Sequence, residues 1–194
     1  MTRTATTLVD PAKHAFSLDL EGIKQRARTH LEQGAVTDGY LGDRLTVLQL
    51  LNDALATELV CVLRYRNHHF RSGALGGIAG FAVKGELLQH ANEELAHADL
   101  LAERITQLGG QADFAPQTLT SRSATEYLVS ESLRGMLTED LVAERIAVET
   151  YGSIVRFIGD KDPTTRRMLE GILAQEEDHA DELADFLKRL PLEA

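Results

Sequence analysis

The run Glu94-Leu-Ala-His97-Ala-Asp99 recurs later in the chain as Glu176-Glu-Asp-His179-Ala-Asp181, and Glu58 followed by Tyr65 recurs as Glu144 followed by Tyr151. A glutamate and a histidine three residues apart share one face of a helix. Carboxylate oxygen and imidazole nitrogen together suit divalent transition metals. Each half of the chain thus offers one lone glutamate and one Glu-x-x-His pair, enough for a pseudo-twofold pair of metal positions. Four clustered carboxylates would repel one another and retain protons unless cations sat among them. Two divalent cations would balance the four negative charges. The competing reading is a core whose buried acids are satisfied by arginines and water, and Arg64, Arg104 and Arg145 lie near enough in sequence to serve.

Such side chains need long helices to hold them. Prolines occur only at 11, 116, 163 and 191, and the intervals 43–72, 78–108, 132–158 and 163–190 are rich in the helix formers Leu, Ala, Glu and Arg. Asp43 can cap the first helix, with Gly73, Gly76 and Gly77 closing it; Gly109-Gly110 ends the second; Asp162-Pro163 opens the fourth. Their apolar stripes read Leu48, Leu51, Leu55, Glu58, Val62, Tyr65 in the first and Val83, Leu87, His90, Glu94, His97, Leu101, Leu108 in the second. The third reads Leu137, Leu141, Glu144, Val148, Tyr151, Val155, and the fourth Leu169, Leu173, Glu176, His179, Leu183, Phe186. Every stripe is interrupted near its middle by a carboxylate, a costly group to bury unless paired, hydrogen-bonded or metal-bound. No run alternates as a strand would.

Ahead of the four helices lie an arm, 1–17, and an expected short helix near 18–33 ended by Gly34. The organisation expected is an arm and short helix over 1–42 and a bundle over 43–194. The link over about 110–131 is the longest, and Ser123-Ala-Thr-Glu126 within it has the form of a capping box for a further short helix. The remaining links are short, which makes the helices they join antiparallel neighbours. One long crossover among four helices is the connectivity of ferritin-like bundles, and a Glu from each of two helices with Glu-x-x-His from each of the others is the ligand set of di-iron and di-manganese carboxylate bundles.

At these residues the sequence resembles the ferritin superfamily, and within it bacterioferritins and Dps-like ferritins with a bacterioferritin-type site. Leu51-Asn-Asp-Ala-Leu-Ala-Thr-Glu58-Leu-Val-Cys-Val-Leu-Arg-Tyr65 resembles the first bacterioferritin helix. Glu93-Glu94-Leu-Ala-His97 and Glu176-Glu177-Asp-His179 resemble its ligand motifs, and Asp140-Leu-Val-Ala-Glu144 its third-helix ligand. The likeness covers about 43–190. It implies an all-α, ferritin-like four-helix bundle in which Glu94 and Glu176 bridge two irons, Glu58 and His97 complete one, and Glu144 and His179 the other. It also implies ferroxidase activity on Fe(II) with O2 or H2O2, and iron storage or detoxification. The family's haem methionine is replaced by Leu95, so no haem is expected. Bacterioferritins continue into a fifth helix, whereas this sequence stops at Pro191-Leu-Glu-Ala194; with the N-terminal extension and longer crossover, this is more similar to the twelve-subunit Dps-like shell than to the twenty-four-subunit cage. The acidic residues before both ligand glutamates in the bacterioferritin pattern are here Glu93 and Gln175, which could partner the histidines. Manganese in place of iron, a non-storage oxidase or catalase-like enzyme, and a Dps-like DNA-protection protein are the alternatives.

The chain has 194 residues, 43% of them hydrophobic, and a net charge of −10. That balance argues against a general nucleic-acid or anionic-membrane binder, and the arm offers only Arg3, Lys13 and His14. One cysteine excludes an internal disulfide or a Cys-rich zinc site, and no uninterrupted apolar run approaches a membrane span; a cytoplasmic homo-oligomer is expected. Tyr65 is the candidate catalytic tyrosine, as a hydrogen-bond partner of a ligand or an electron donor, with Tyr151 evenly balanced between function and core. Cys61 is read as structural, His90 as core or surface rather than iron-transfer, and His68-His69 as solvated near a helix end.

Overall fold

The computed structural model describes residues 17–190, all helix and connecting loop. Two compact units divide between Gly39 and Tyr40. In the first, α1 (Leu20–Arg26) is capped by the Asp19 carboxylate, which accepts from the Gly22 N–H, and a 3₁₀ turn follows at Leu31–Gln33. The continuous helix expected over 18–33 is thus replaced by one short helix and a turn. α1 buries no side chain, so no packing extends it past its own propensity. The Thr29 hydroxyl closes the break by donating both to the Arg26 carbonyl and to Asp38.

The second unit is the bundle. α2 (Arg44–Gln107) starts at the Asp43 cap and is two helical limbs joined at Gly77, whose φ of 53° and ψ of −129° reverse the chain. Pairings across the limbs run Ser72 with Gly80, His69 with Lys84, Tyr65 with His90 and Glu58 with His97, so the limbs are antiparallel. α4 (Leu133–Ile158) is capped by Ser132 and closed by Gly159 at positive φ, and α5 (Pro163–Arg189) opens on the Asp162 cap with Pro163 in its first turn. Tyr40 belongs to this unit because its hydroxyl donates to Asp162. The second limb of α2 lies antiparallel to α5, and the first limb antiparallel to α4, through Arg104–Asp162, His97–Gln175, Glu58–Tyr151 and Tyr65–Glu144.

The long crossover is fastened along the first limb. Asn52 bonds Gln111 and Asp113, Arg122 donates to the Asn52 carbonyl, Ala124 donates to Thr57, and Arg64 donates to the Glu126 carbonyl. Its one helical turn, α3 (Leu119–Arg122), ends at Ser123, where the capping-box reading would have had a helix begin. The Ser123 hydroxyl bonds Thr125 two residues on, forming a local turn that removes it as a cap. An 18-residue stretch of α2 is apolar enough by composition to cross a membrane, and half of that stretch is buried inside the bundle.

Close approach at the limb junction rests on Gly80, where a Cβ would stand 1.9 Å from the Ser72 carbonyl oxygen; at Gly85, on the same limb, a Cβ meets nothing within 4 Å. Gly80→Ala should therefore lower stability by about 1–3 kcal/mol, whereas Gly85→Ala should leave it unchanged or raise it by about 0.5–1 kcal/mol. Thermal denaturation of the two variants checks this contrast; equal effects would contradict the junction geometry.

Candidate metal centre

All four mid-helix glutamates and both histidines meet inside the bundle, none more than 4% exposed. Two sets of four donor atoms form, Glu58, Glu94, His97, Glu176 and Glu94, Glu144, Glu176, His179, each with its atoms within 4.8 Å of one another. The sets share Glu94 and Glu176. Glu94 turns Oε2 toward His97 Nδ1 (3.8 Å) and Oε1 toward His179 Nδ1 (3.4 Å). Glu176 likewise places Oε1 2.9 Å from His97 Nδ1 and Oε2 3.8 Å from His179 Nδ1. Glu58 Oε2 faces His97 alone, at 3.4 Å, and Glu144 Oε2 faces His179 alone, at 3.8 Å.

The groups around this ring fix which atoms point inward. Tyr65 donates its hydroxyl to Glu144 Oε1 and Tyr151 donates to Glu58 Oε1, leaving the Oε2 atoms to face the histidines. Tyr151, balanced between roles in the sequence, thus stands in the same relation to Glu58 as Tyr65 does to Glu144. His97 Nε2 donates to Gln175 Oε1 and His179 Nε2 donates to Glu93 Oε2, both at 2.9 Å. An oxygen acceptor at Nε2 holds a proton there and leaves Nδ1 as the ring atom aimed at the glutamates, where a bound cation would take the place of its proton. Gln175 fills for one histidine the place Glu93 fills for the other, so the amide does not break the pattern.

What faces the middle of this ring is unsatisfied. Glu58 Oε2, Glu94 Oε1, both Glu176 oxygens and both Nδ1 atoms are buried with no hydrogen-bond partner; even the 2.9 Å approach of His97 to Glu176 is not aligned as a hydrogen bond. Buried polar groups are rarely left so. The arginines do not relieve them: Arg64 bonds Asp140, Arg104 bonds Asp162 and Thr165, and Arg145 is exposed. Among the described residues no lysine or arginine pairs with the four glutamates. Burial, with the neighbouring carboxylates Glu176, Glu144 and Glu58, pushes the Glu94 carboxyl well up. Burial also raises Glu144, His179 pulls it back, and Glu176 raises it again, to about 7. Burial pulls both histidines down, but their glutamate neighbours reverse this and hold both rings well above the usual range. Glu176 is the exception, held below its ordinary value because the two histidines outweigh burial and Glu58.

Two neighbouring groups differ from the sequence reading. His68 is buried rather than solvated, its Nδ1 2.8 Å from Asp140 Oδ2, while Arg64 Nε donates to Asp140 Oδ1 at 3.0 Å. Asp140, one turn before Glu144, carries no signal in the sequence because it lies beside the stripe and its partners Arg64 and His68 come from another helix. Cys61 is buried near Thr125 and Arg64, and burial pushes its thiol up.

With this geometry in view, the comparisons with known proteins are specific. A ferritin-like domain profile matches residues 48–192. The chain belongs to the ferritin-like family. It is 30% identical over 147 residues to a bacterioferritin of Mycobacterium avium, covering 73% of this chain and 84% of that protein. It is 31% identical over 152 residues to a DNA protection during starvation protein of Pyrococcus furiosus, covering 75% and 78%. A solved ferritin relative, the dodecameric thioferritin of Bacteroides fragilis described as bacterioferritin-related, superposes with a TM-score of 0.72 at 30% identity over 76% of this chain and 88% of that one. The all-α ferritin-like bundle expected from the sequence is therefore what this chain adopts.

The electrostatics carry a stability consequence. A carboxyl whose folded pKa is raised costs nothing at low pH, where both states are protonated, and costs progressively more as pH rises above the ordinary carboxylate range. Glu94→Gln should therefore stabilise the chelator-treated protein at pH 8, by roughly 3 °C in Tm, with the gain shrinking toward pH 5. Thermal melts at the two pH values measure it. A variant less stable than the parent at pH 8 would show that Glu94 is satisfied without a cation.

Proposed function

We propose that this chain is a ferroxidase subunit that binds two Fe(II) ions at Glu58, Glu94, His97, Glu144, Glu176 and His179, oxidises them, and releases ferric iron for storage. The observation that carries this reading is the pair of four-donor sets sharing Glu94 and Glu176, with their inward atoms left without partners. Iron is the substrate. Glu94 and Glu176 each have one oxygen for each ion, which would keep the ions close enough for one oxidant to take an electron from both. Glu58 with His97, and Glu144 with His179, complete the two positions. Oxidation of two Fe(II) releases two electrons; with two protons they convert O2 to H2O2, or H2O2 to two waters. Tyr65 and Tyr151 act as positioning residues, holding Glu144 and Glu58 by one oxygen so that the other faces its ion. Iron fits the mixed oxygen and imidazole donors, and manganese would fit the same set.

An assembly is favoured by the outward faces of α2. Leu63 and Phe70 on the first limb, and Phe81 and Leu95 on the second, follow a seven-residue spacing or its double, and are 40–72% exposed. An apolar face of this kind marks an interface, and we assign it to further copies of this chain in a twelve-subunit cytoplasmic shell. Leu95, at the haem-methionine position, lies on that face. The names of two relatives refer to DNA, but the charge of −10 disfavours contact with a phosphate backbone.

Three measurements follow. Aerobic Fe(II) oxidation should fall on the order of 100-fold in Glu94→Ala and in His179→Ala, as removal of a metal ligand does; parent-like rates would remove the ferroxidase reading. Cation binding should release protons near neutral pH, because Glu144 titrates at about 7 and cations must displace the Nδ1 protons. Apparent affinity should accordingly weaken as pH drops from 8 to 6, and an indicator dye that records no proton release would contradict the assignment. Light scattering of the native protein should give about twelve times the 21.3 kDa chain mass; a monomer or dimer would favour the non-storage oxidase.

A further inference from the structure

Outside the ring of six lies another set of donors. His90 is fully buried on the second limb of α2, one turn before Glu94. Its Nε2 stands 2.9 Å from Glu182 Oε2 on α5 and 3.7 Å from Glu86 Oε1, one turn back on its own helix. The three donor atoms lie within 4.8 Å of one another. Glu182 and Glu86 are 48% and 29% exposed at the side chain, so solvent reaches the set, and a cavity of about 200 Å³ opens between them, Asp185, Phe186 and Arg189, whose guanidinium lies 3.7 Å from the Asp185 carboxylate. His90 Nδ1 is buried with no hydrogen-bond partner, and the ring stacks on His179 at 4.2 Å between centroids. A second close set, His90, Glu93 and His179, continues from the first, and His179 belongs to the inner ring. Three donor sets in a row, each sharing a histidine with the next, lead from solvent to the metal centre.

The internal repeat supplies the control. The correspondence that carries Glu94 onto Glu176 and His97 onto His179 carries Glu86 onto Met168, His90 onto Ile172 and Glu182 back onto Leu100. Those three apolar residues line a cavity at the equivalent place on the other side. Thr164, Arg167 and Gln175 also line that cavity, but no histidine or carboxylate does. A buried imidazole with two acids on one side only is a chemical difference imposed on the same packing problem, in the same sense as Glu93 against Gln175.

We propose that Glu86, His90 and Glu182 form a third cation site, which binds a divalent transition metal at the surface and passes it through Glu93 and His179 into the inner centre. The outer site stands on its own donors; its role in loading rests on the di-iron reading above. Iron would thus enter from the His179 side, and the His97 side would remain closed to cations.

Cobalt(II), which binds without turning over, is the probe. Crystals of the native protein soaked in cobalt(II) should show an anomalous peak within coordination reach of His90 Nε2 in addition to the two inner ones, and should show none beside Ile172. Equilibrium dialysis should count one ion fewer for the variant Glu86→Met/His90→Ile/Glu182→Leu, which imports the residues of the opposite side. Glu94→Ala/Glu176→Ala should keep the outer ion while losing the inner pair, so a failure of the inner assignment is read separately. At limiting Fe(II), the imported-residue variant should fill the inner centre more slowly by about tenfold, the lower end of what outer partners of a metal site contribute. No peak at His90, or equal filling rates in parent and variant, would overturn the proposal, and the crystal result does not depend on any variant folding.

Discussion

Four carboxylates are enclosed with two imidazoles where a helical bundle would ordinarily keep leucine, and most of the inward atoms of that group find no hydrogen-bond partner among the described residues. Everything else in the bundle serves to keep them there. The two limbs of α2 are brought close at Gly80, α5 is fixed by Asp162 to Arg104, and the crossover is fastened along the first limb from Asn52 to Arg64. A fifth buried acid, Asp140, shows the other solution to the same problem. It sits between Arg64 and His68 and is neutralised within the chain. Among the described residues the four central glutamates have no arginine or lysine, the only bases they face are His97 and His179, and the ferritin-like fold supplies the rigidity that holds their mutual repulsion in place.

The ligand ring was legible because its signal is a contradiction. Acids in apolar stripes, placed at the same point on four helices and repeated between halves, cannot be explained by propensity or surface exposure. The helix ends were legible for a related reason: Asp43 and Asp162 with Pro163 are local signals that tertiary contacts did not need to override. What escaped notice depends on contacts distant in sequence. The burial of His68 is not legible, because only Asp140, 72 residues away, explains it. Which histidine Glu93 and Gln175 each serve is not legible either, because Gln175 bonds His97 and Glu93 bonds His179, each on another helix. Ser123 was read as a helix cap on a local pattern, yet its hydroxyl closes a tight turn and α3 ends there.

The two four-donor sets are alike in residue type and differ in what surrounds them. Carboxylate Glu93 backs His179 while amide Gln175 backs His97, and beyond them one side carries His90 with two acids where the other carries Ile172, Met168 and Leu100. A carboxylate partner raises the basicity of the ring it holds more than a neutral amide does. The pseudo-twofold arrangement of the six donors therefore sits within an asymmetric setting, with a carboxylate behind His179 and an amide behind His97.

The central claim is that the shared glutamates hold two metal ions as a pair. Mössbauer spectroscopy of the protein given two equivalents of ⁵⁷Fe(II) and then exposed to air tests it most directly. Glu94 and Glu176 shared between two positions predict a spin-coupled diferric pair as the dominant early product, absent when both are replaced by alanine. Magnetically isolated ferric iron in the parent, or the same spectrum in the variant, would contradict the account.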